Sequence, residues 1–123
     1  MAIEVVKSEG LKEGESTPNL IREQAFDTDN AVIMRSNAEE SITSGWHHHG
    51  DREVFGFLLE GHARIEYGPD GEDAVELEAG DFFRVDPGTV HRDVNPVNEQ
   101  QRAVTMFVGE GPVVVNVDGP GDA

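Results

Sequence analysis

Glycine and proline interrupt this chain so often that no stretch sustains the 3.6-residue hydrophobic repeat a helix needs. Short apolar runs separated by such breaks point instead to an all-β sandwich or barrel. The spacing predicts a strand over 31–35 and another over 54–59, VFGFLL, apolar on both faces and therefore expected to be buried. In 62–67, HARIEY, the residues alternate: His62, Arg64 and Glu66 share one face, and Ala63, Ile65 and Tyr67 the other. Gly68-Pro69-Asp70-Gly71 has turn chemistry, with proline presetting φ and glycine tolerating positive φ. Further strands are predicted over 74–78, 82–85, 103–108 and 113–117, with a turn at Pro87-Gly88. Residues 8–19 are polar, contain Gly10, Gly14 and Pro18, and read as an arm or irregular edge. The last six residues read as a frayed tail. The length suits one domain over 1–123, with its core at about 31–108.

Charge narrows the partners. Twenty-five acidic residues face nine basic ones, of which only Lys7 and Lys12 are lysines, for a net charge of −16. Such a surface repels phosphate backbones and anionic membranes, so neither nucleic acid nor membrane is an expected partner. The acids are spread along the whole chain, which reads as a folded protein adapted to high salt, where self-repulsion is screened. Cysteine is absent, which excludes disulfides, thiolate metal sites and cysteine nucleophiles. MAIEVVKSEG lacks the apolar run of a signal peptide, and no stretch is long enough to span a bilayer. A cytoplasmic protein is expected.

The chemistry concentrates in the histidines after Trp46. In an extended chain His47 and His49 share one face and His48 points away. Glu53 can return to the same site after the Gly50-Asp51-Arg52 bend. The candidate for a fourth ligand is His91, after the Pro87–Val90 turn, because His62 lies on the polar face of its strand. His48 and His62 are expected to be solvated. Three imidazoles and a carboxylate suit Fe, Mn, Ni, Co, Cu or Zn better than Mg or Ca. On a six-coordinate ion, four protein ligands would leave two positions open; on a four-coordinate ion the site would be closed and structural.

These residues match a known pattern. WHHHGDREVFGFLLEG, residues 46–61, resembles the first cupin motif, with His47-x-His49, three residues, Glu53 and then Gly61. Residues 80–95, from Gly80 through Pro87, Gly88 and His91 to Asn95, resemble the second, and Gly68–Gly71 sits in the expected intermotif hairpin. The resemblance implies a double-stranded β-helix, or jelly-roll barrel, with metal held inside it by His47, His49, Glu53 and His91. Three departures stand out. Seven residues rather than six separate Glu53 from Gly61; Asp86 holds the motif's proline position; and Ser41 stands where the upstream glycine belongs. The spacing leaves open whether Glu53 coordinates directly or through water.

The function expected from this site is a metal-dependent, dioxygenase-like oxidoreductase acting on a small organic molecule, with Glu53 as ligand or proton shuttle. The alternatives are a non-catalytic metal-dependent module for a sugar or carboxylate, and sugar isomerase chemistry. The last calls for a basic clamp, for which only Arg64 and Arg84 are available, and both are expected to pair with neighbouring carboxylates. Phe55, Phe57, Phe83, Met106 and Phe107 are expected to include the residues lining the barrel interior. A homodimer is expected, because the strands over 31–35 and 113–117 would offer edges that need cover.

Overall fold

The computed structural model describes residues 2–121 and is a two-sheet jelly roll in which the paired strands are antiparallel. Strands are numbered in chain order. The first sheet contains β1 (Lys12–Glu13), β2 (Ile21–Asp27), β3 (Ala31–Ala38), β6 (Glu53–Glu60), β9 (Phe82–Val85) and β11 (Gln101–Val108), in the order β1-β2-β3-β11-β6-β9. The second contains β5 (His47–His48), β7 (His62–Tyr67), β8 (Asp73–Glu78), β10 (His91–Asn95) and β12 (Val115–Asn116), in the order β12-β5-β10-β7-β8. β4 (Ile42–Thr43) also pairs with β10. Among the described residues the only helical element is one 3-10 turn, Ser8–Gly10, and no helix is long and apolar enough to cross a membrane.

The core lies between the sheets and follows from strand alternation. Val32 and Met34 of β3, Val54 of β6, Val85 of β9 and Phe107 of β11 form one buried cluster, with Phe83 and Val113 packed against it. Leu58, Ile65, Leu77 and Ala103 form a second, also touching Phe83. Of the aromatic residues expected inside, Phe83 and Phe107 are there. Phe55 and Met106 are more than a third exposed on the opposite face of the first sheet.

The predicted double-sided burial of 54–59 is therefore corrected: β6 alternates. Val54, Gly56 and Leu58 face inward, while Phe55 and Leu59 are exposed. Gly56 has a specific task there. It pairs with Phe83, and a Cβ added at Gly56 would land on the Phe83 ring, so the missing side chain is what lets that ring lie over the strand. β3 is longer than predicted and is not an edge, because β2 and β11 flank it. That removes the edge argument for pairing through 31–35.

The largest omission from the sequence reading is β2. A register shift between Gln24 and Phe26 breaks its alternation, which hid it as a strand. The turns behave as expected: the Gly71 amide donates to the Gly68 carbonyl at 3.0 Å, and both glycines have positive φ. Of the terminal tail, Asp122 and Ala123 lie outside the described residues. Gly121 approaches the Pro69 carbonyl, so the described part of the tail turns back onto that hairpin.

Candidate metal centre

Two loops and two strands converge on one point. His47 of β5 and His91 of β10 are direct cross-strand partners, and their ring centroids are 4.4 Å apart. His49 follows β5, with its ring 5.2 Å from His47 and 5.1 Å from His91. The Gly88 amide donates to the Gly50 carbonyl at 2.8 Å, tying the bend after His49 to the turn before His91. All three histidines are buried, and one ring nitrogen of each lies within 4.8 Å of the other two.

The orientation of the rings carries more information than their proximity. Each Nδ1 faces a backbone carbonyl: His47 to Gly45 at 2.9 Å, His49 to Val113 at 2.7 Å and His91 to Thr89 at 2.9 Å. A carbonyl only accepts, so each Nδ1 carries its hydrogen and, on a neutral ring, leaves Nε2 as a lone pair. That is how metal-ligating imidazoles are held. The carbonyl of Val113 is itself fixed from outside. Buried Arg52 donates to the carbonyls of Gly111 and Phe107, fastening the segment between β11 and β12.

Electrostatics favour neutral rings at His49 and His91. Burial pushes the His49 imidazole down to about 3, with the neighbouring His91 and His47 adding to the shift. Burial also lowers His91, opposed in part by Asp93.

Around His47 the hydrogen bonding conflicts with itself. Its Nε2 lies 3.2 Å from Nη2 of Arg22, which can only donate, and 3.2 Å from Oδ2 of Asp93. An Nε2 lone pair satisfies Arg22 but repels the carboxylate; an Nε2–H does the reverse. A cation at Nε2 would resolve the conflict with Asp93, so the donor set fits a divalent transition ion. Asp93 reaches this point because it sits two residues beyond His91 on the same face of β10. Burial alone would raise its carboxyl. The hydrogen bond and charge of His47, with His91 and Arg22, outweigh burial and hold it below the usual carboxylate range.

Glu53 does not join the group. Its neighbour Val54 faces the core, so the Glu53 side chain leaves the opposite face of β6, where it pairs with Arg84. The seven-residue spacing to Gly61 reflects this register: six intervening residues before Gly61 place Val54, not Glu53, at the inward position. His48 points away, accepting from the Gly50 amide, and His62 is exposed. Arg64 pairs with Glu66 and Glu76, and Arg84 with Glu53 and Asp86, as expected.

Beside the histidines is an interior cavity of about 50 Å³. Val54, Leu58, Ile65 and Phe107 are among its apolar walls, and Arg22, Asp93 and Thr105 among its polar ones. A wider hollow of about 390 Å³ lies alongside; His91, Phe83, Ile65 and Val85 line both spaces. Sequence reasoning missed Arg22 and Asp93. Asp93 was legible from its i+2 spacing to His91; Arg22 was hidden with β2.

The family model for the cupin domain, Cupin_2, matches residues 34–109. The chain belongs to the cupin family. A relative from Bacillus subtilis (strain 168), the uncharacterized protein YdbB, is 38% identical over 73 residues, which cover 54% of this chain and 63% of its own length. The chain thus spans less than two thirds of that relative. Among solved structures it is similar to the polyketide cyclase RemF from Streptomyces resistomycificus, with TM-score 0.76 and 20% identity over 94% of this chain and 85% of that one. It is also similar to KdgF from Halomonas sp., with TM-score 0.71 and 15% identity over 88% and 96% of the two chains. An oxalate oxidase matches with TM-score 0.69 and 22% identity, over 86% of this cupin and 60% of that chain. At these identities the likeness establishes the fold.

Proposed function

We propose that this cupin is a metal-dependent enzyme for a small organic molecule, a dioxygenase-like oxidoreductase, with the ion held by His47, His49 and His91. The observation that carries this reading is the set of three buried imidazoles with one ring nitrogen of each within 4.8 Å of the others, each anchored through Nδ1 to a backbone carbonyl so that Nε2 is the nitrogen left for an ion. A divalent transition ion there would supply Lewis acidity and, if redox-active, electrons for dioxygen chemistry. Three protein ligands rather than four leave more of such an ion open to substrate, which favours catalysis over a closed structural site. The protein's own share is to hold His49 and His91 neutral by burial and to exclude water with Val54, Leu58 and Phe107. Asp93, at the edge of the cavity, is placed to accept a proton from a bound substrate.

A second, redox-neutral reading is favoured by Asp93 itself. A carboxylate beside the ion suits proton abstraction, the chemistry of an isomerase or cyclase, and does so without Arg64 or Arg84, which are taken up by surface carboxylates. A homodimer remains part of the proposal, now through the outward face carrying Phe55, Phe82 and Met106 instead of β3. We also propose a cytoplasmic, high-salt setting, motivated by the dispersed acidity.

The test is metal analysis of the purified protein paired with oxygen uptake across small phenols, diketones and thiols. About one transition ion per chain with oxygen uptake on one substrate class is the expected result. Bound metal without uptake on any of them favours the redox-neutral reading, and protein that takes up no transition metal overturns both.

A further inference from the structure

Arg22 is the most unusual charge in the molecule. Its residue is 3% exposed, and it projects from β2 into the space between the sheets beside the histidines. Its guanidinium donates to the Thr17 hydroxyl at 2.8 Å, and Nη2 reaches His47 Nε2 at 3.2 Å. Among the described residues no carboxylate is hydrogen-bonded to it, whereas Arg35, Arg64, Arg84 and Arg92 each hold one. A buried charge without such a partner is costly unless something in the site compensates it.

This inference rests on the metal reading above. An ion bound to His47 Nε2 consumes the lone pair that Nη2 now uses, so Arg22 loses that acceptor when the centre is filled. The charge count also becomes one-sided. A divalent ion and Arg22 together would carry three positive charges, while imidazoles bound through Nε2 add none and Asp93 supplies one negative charge. Glu53, which would offset another, is on the outer face with Arg84. An excess of two positive charges in a largely apolar cavity calls for an anion. A second observation points the same way. Among the described residues Thr105 Oγ1 is the buried side-chain polar atom with no hydrogen-bond partner, and Thr105 lines the same cavity. Buried hydroxyls are rarely left unpaired without a ligand or water to serve them.

We infer that the cavity beside the centre takes a small carboxylic acid in its anionic form, with the carboxylate on the Arg22 guanidinium and the Thr105 hydroxyl within the same pocket. The volume admits only a few heavy atoms. Any larger tail must extend past Phe83 into the neighbouring hollow.

The experiment uses the full chain loaded with cobalt(II), whose visible spectrum reports ligands arriving at the centre. Cobalt stoichiometry is measured first, and the protein is then titrated with lactate and with lactamide, its uncharged counterpart. Lactate should bind at least ~10-fold more tightly than lactamide, the range of a charge-assisted hydrogen bond in a buried site. Arg22→Gln should erase that preference while cobalt is retained, Arg22→Lys should keep part of it, and Arg84→Gln should leave it intact. Equal affinity for acid and amide in the cobalt-loaded wild type overturns this inference alone, without recourse to any variant. A wild type that takes up no cobalt overturns the metal reading and this inference with it.

Discussion

Arg22 and Arg84 lie on opposite faces of the first sheet and behave as different chemical objects. Arg84 is half exposed, held between Glu53 and Asp86, and those carboxylates raise its already high affinity for its proton. Arg22 is buried, its pKa lowered by desolvation, and its partners are hydroxyl, carbonyl and imidazole. The outer guanidinium is surrounded by more negative charge than it needs, and the inner one by less. The lesson extends to the whole molecule: a net charge of −16 is a property of its outside, while the chamber holding the histidines is poor in acid.

The strongest challenge to that contrast is removal of an inner ligand. His49→Ala or His91→Ala should weaken metal binding by more than about 100-fold, exceeding the usual cost of losing a supporting contact. The fold should survive, because neither histidine is a member of the two hydrophobic clusters that fill the core. Equilibrium dialysis against zinc, with circular dichroism as the control, checks both halves. Retention of metal by both variants would mean that the convergence of Nε2 atoms is structural only.

Acid titration of the metal-free protein probes the same chamber. Below about pH 6.5 an unfolded histidine takes up a proton, while His49 in the fold resists until about 3. The unfolded state therefore binds more protons across that window, and stability falls as the pH is lowered through it. For His49 alone the loss at pH 5 is about 2 kcal/mol relative to pH 7. Chemical denaturation of the EDTA-treated protein at the two pH values, in high salt, measures it. Unchanged stability would show that the ring is not kept neutral.

The outer face should respond to salt instead. Raising sodium chloride from 0.1 M to 2 M screens the dispersed carboxylates and should raise Tm by several degrees. A flat or falling Tm removes the case for adaptation to salt. Glu53→Gln should leave metal content unchanged and Tm nearly so, since its Arg84 contact is an exposed pair. Loss of metal in that variant would bring Glu53 back as a ligand and place it on the inner face.

Most of the architecture was legible because alternation and turn chemistry agree along the chain. The Gly68–Gly71 hairpin and β9 followed from local rules. What was not legible depended on register. Whether Glu53 or Val54 faces inward is a shift of one residue, which reverses every side chain in the strand, and motif spacing alone tolerated either. β2 was obscured by its bulge and by its polar residues, since a buried Arg22 in IREQAFD looks like any solvated arginine until the second sheet closes over it. Tertiary context decided both.

Gly56 sets a dimension of the chamber without lining it. The Phe83 ring borders both the inner cavity and the outer hollow, and it rests where Gly56 has no side chain. A single methyl at that position would evict the ring, and the room available to a guest would be redrawn from the far side of the wall. The shape of both spaces is thus open to change at Gly56, a residue that lines neither of them.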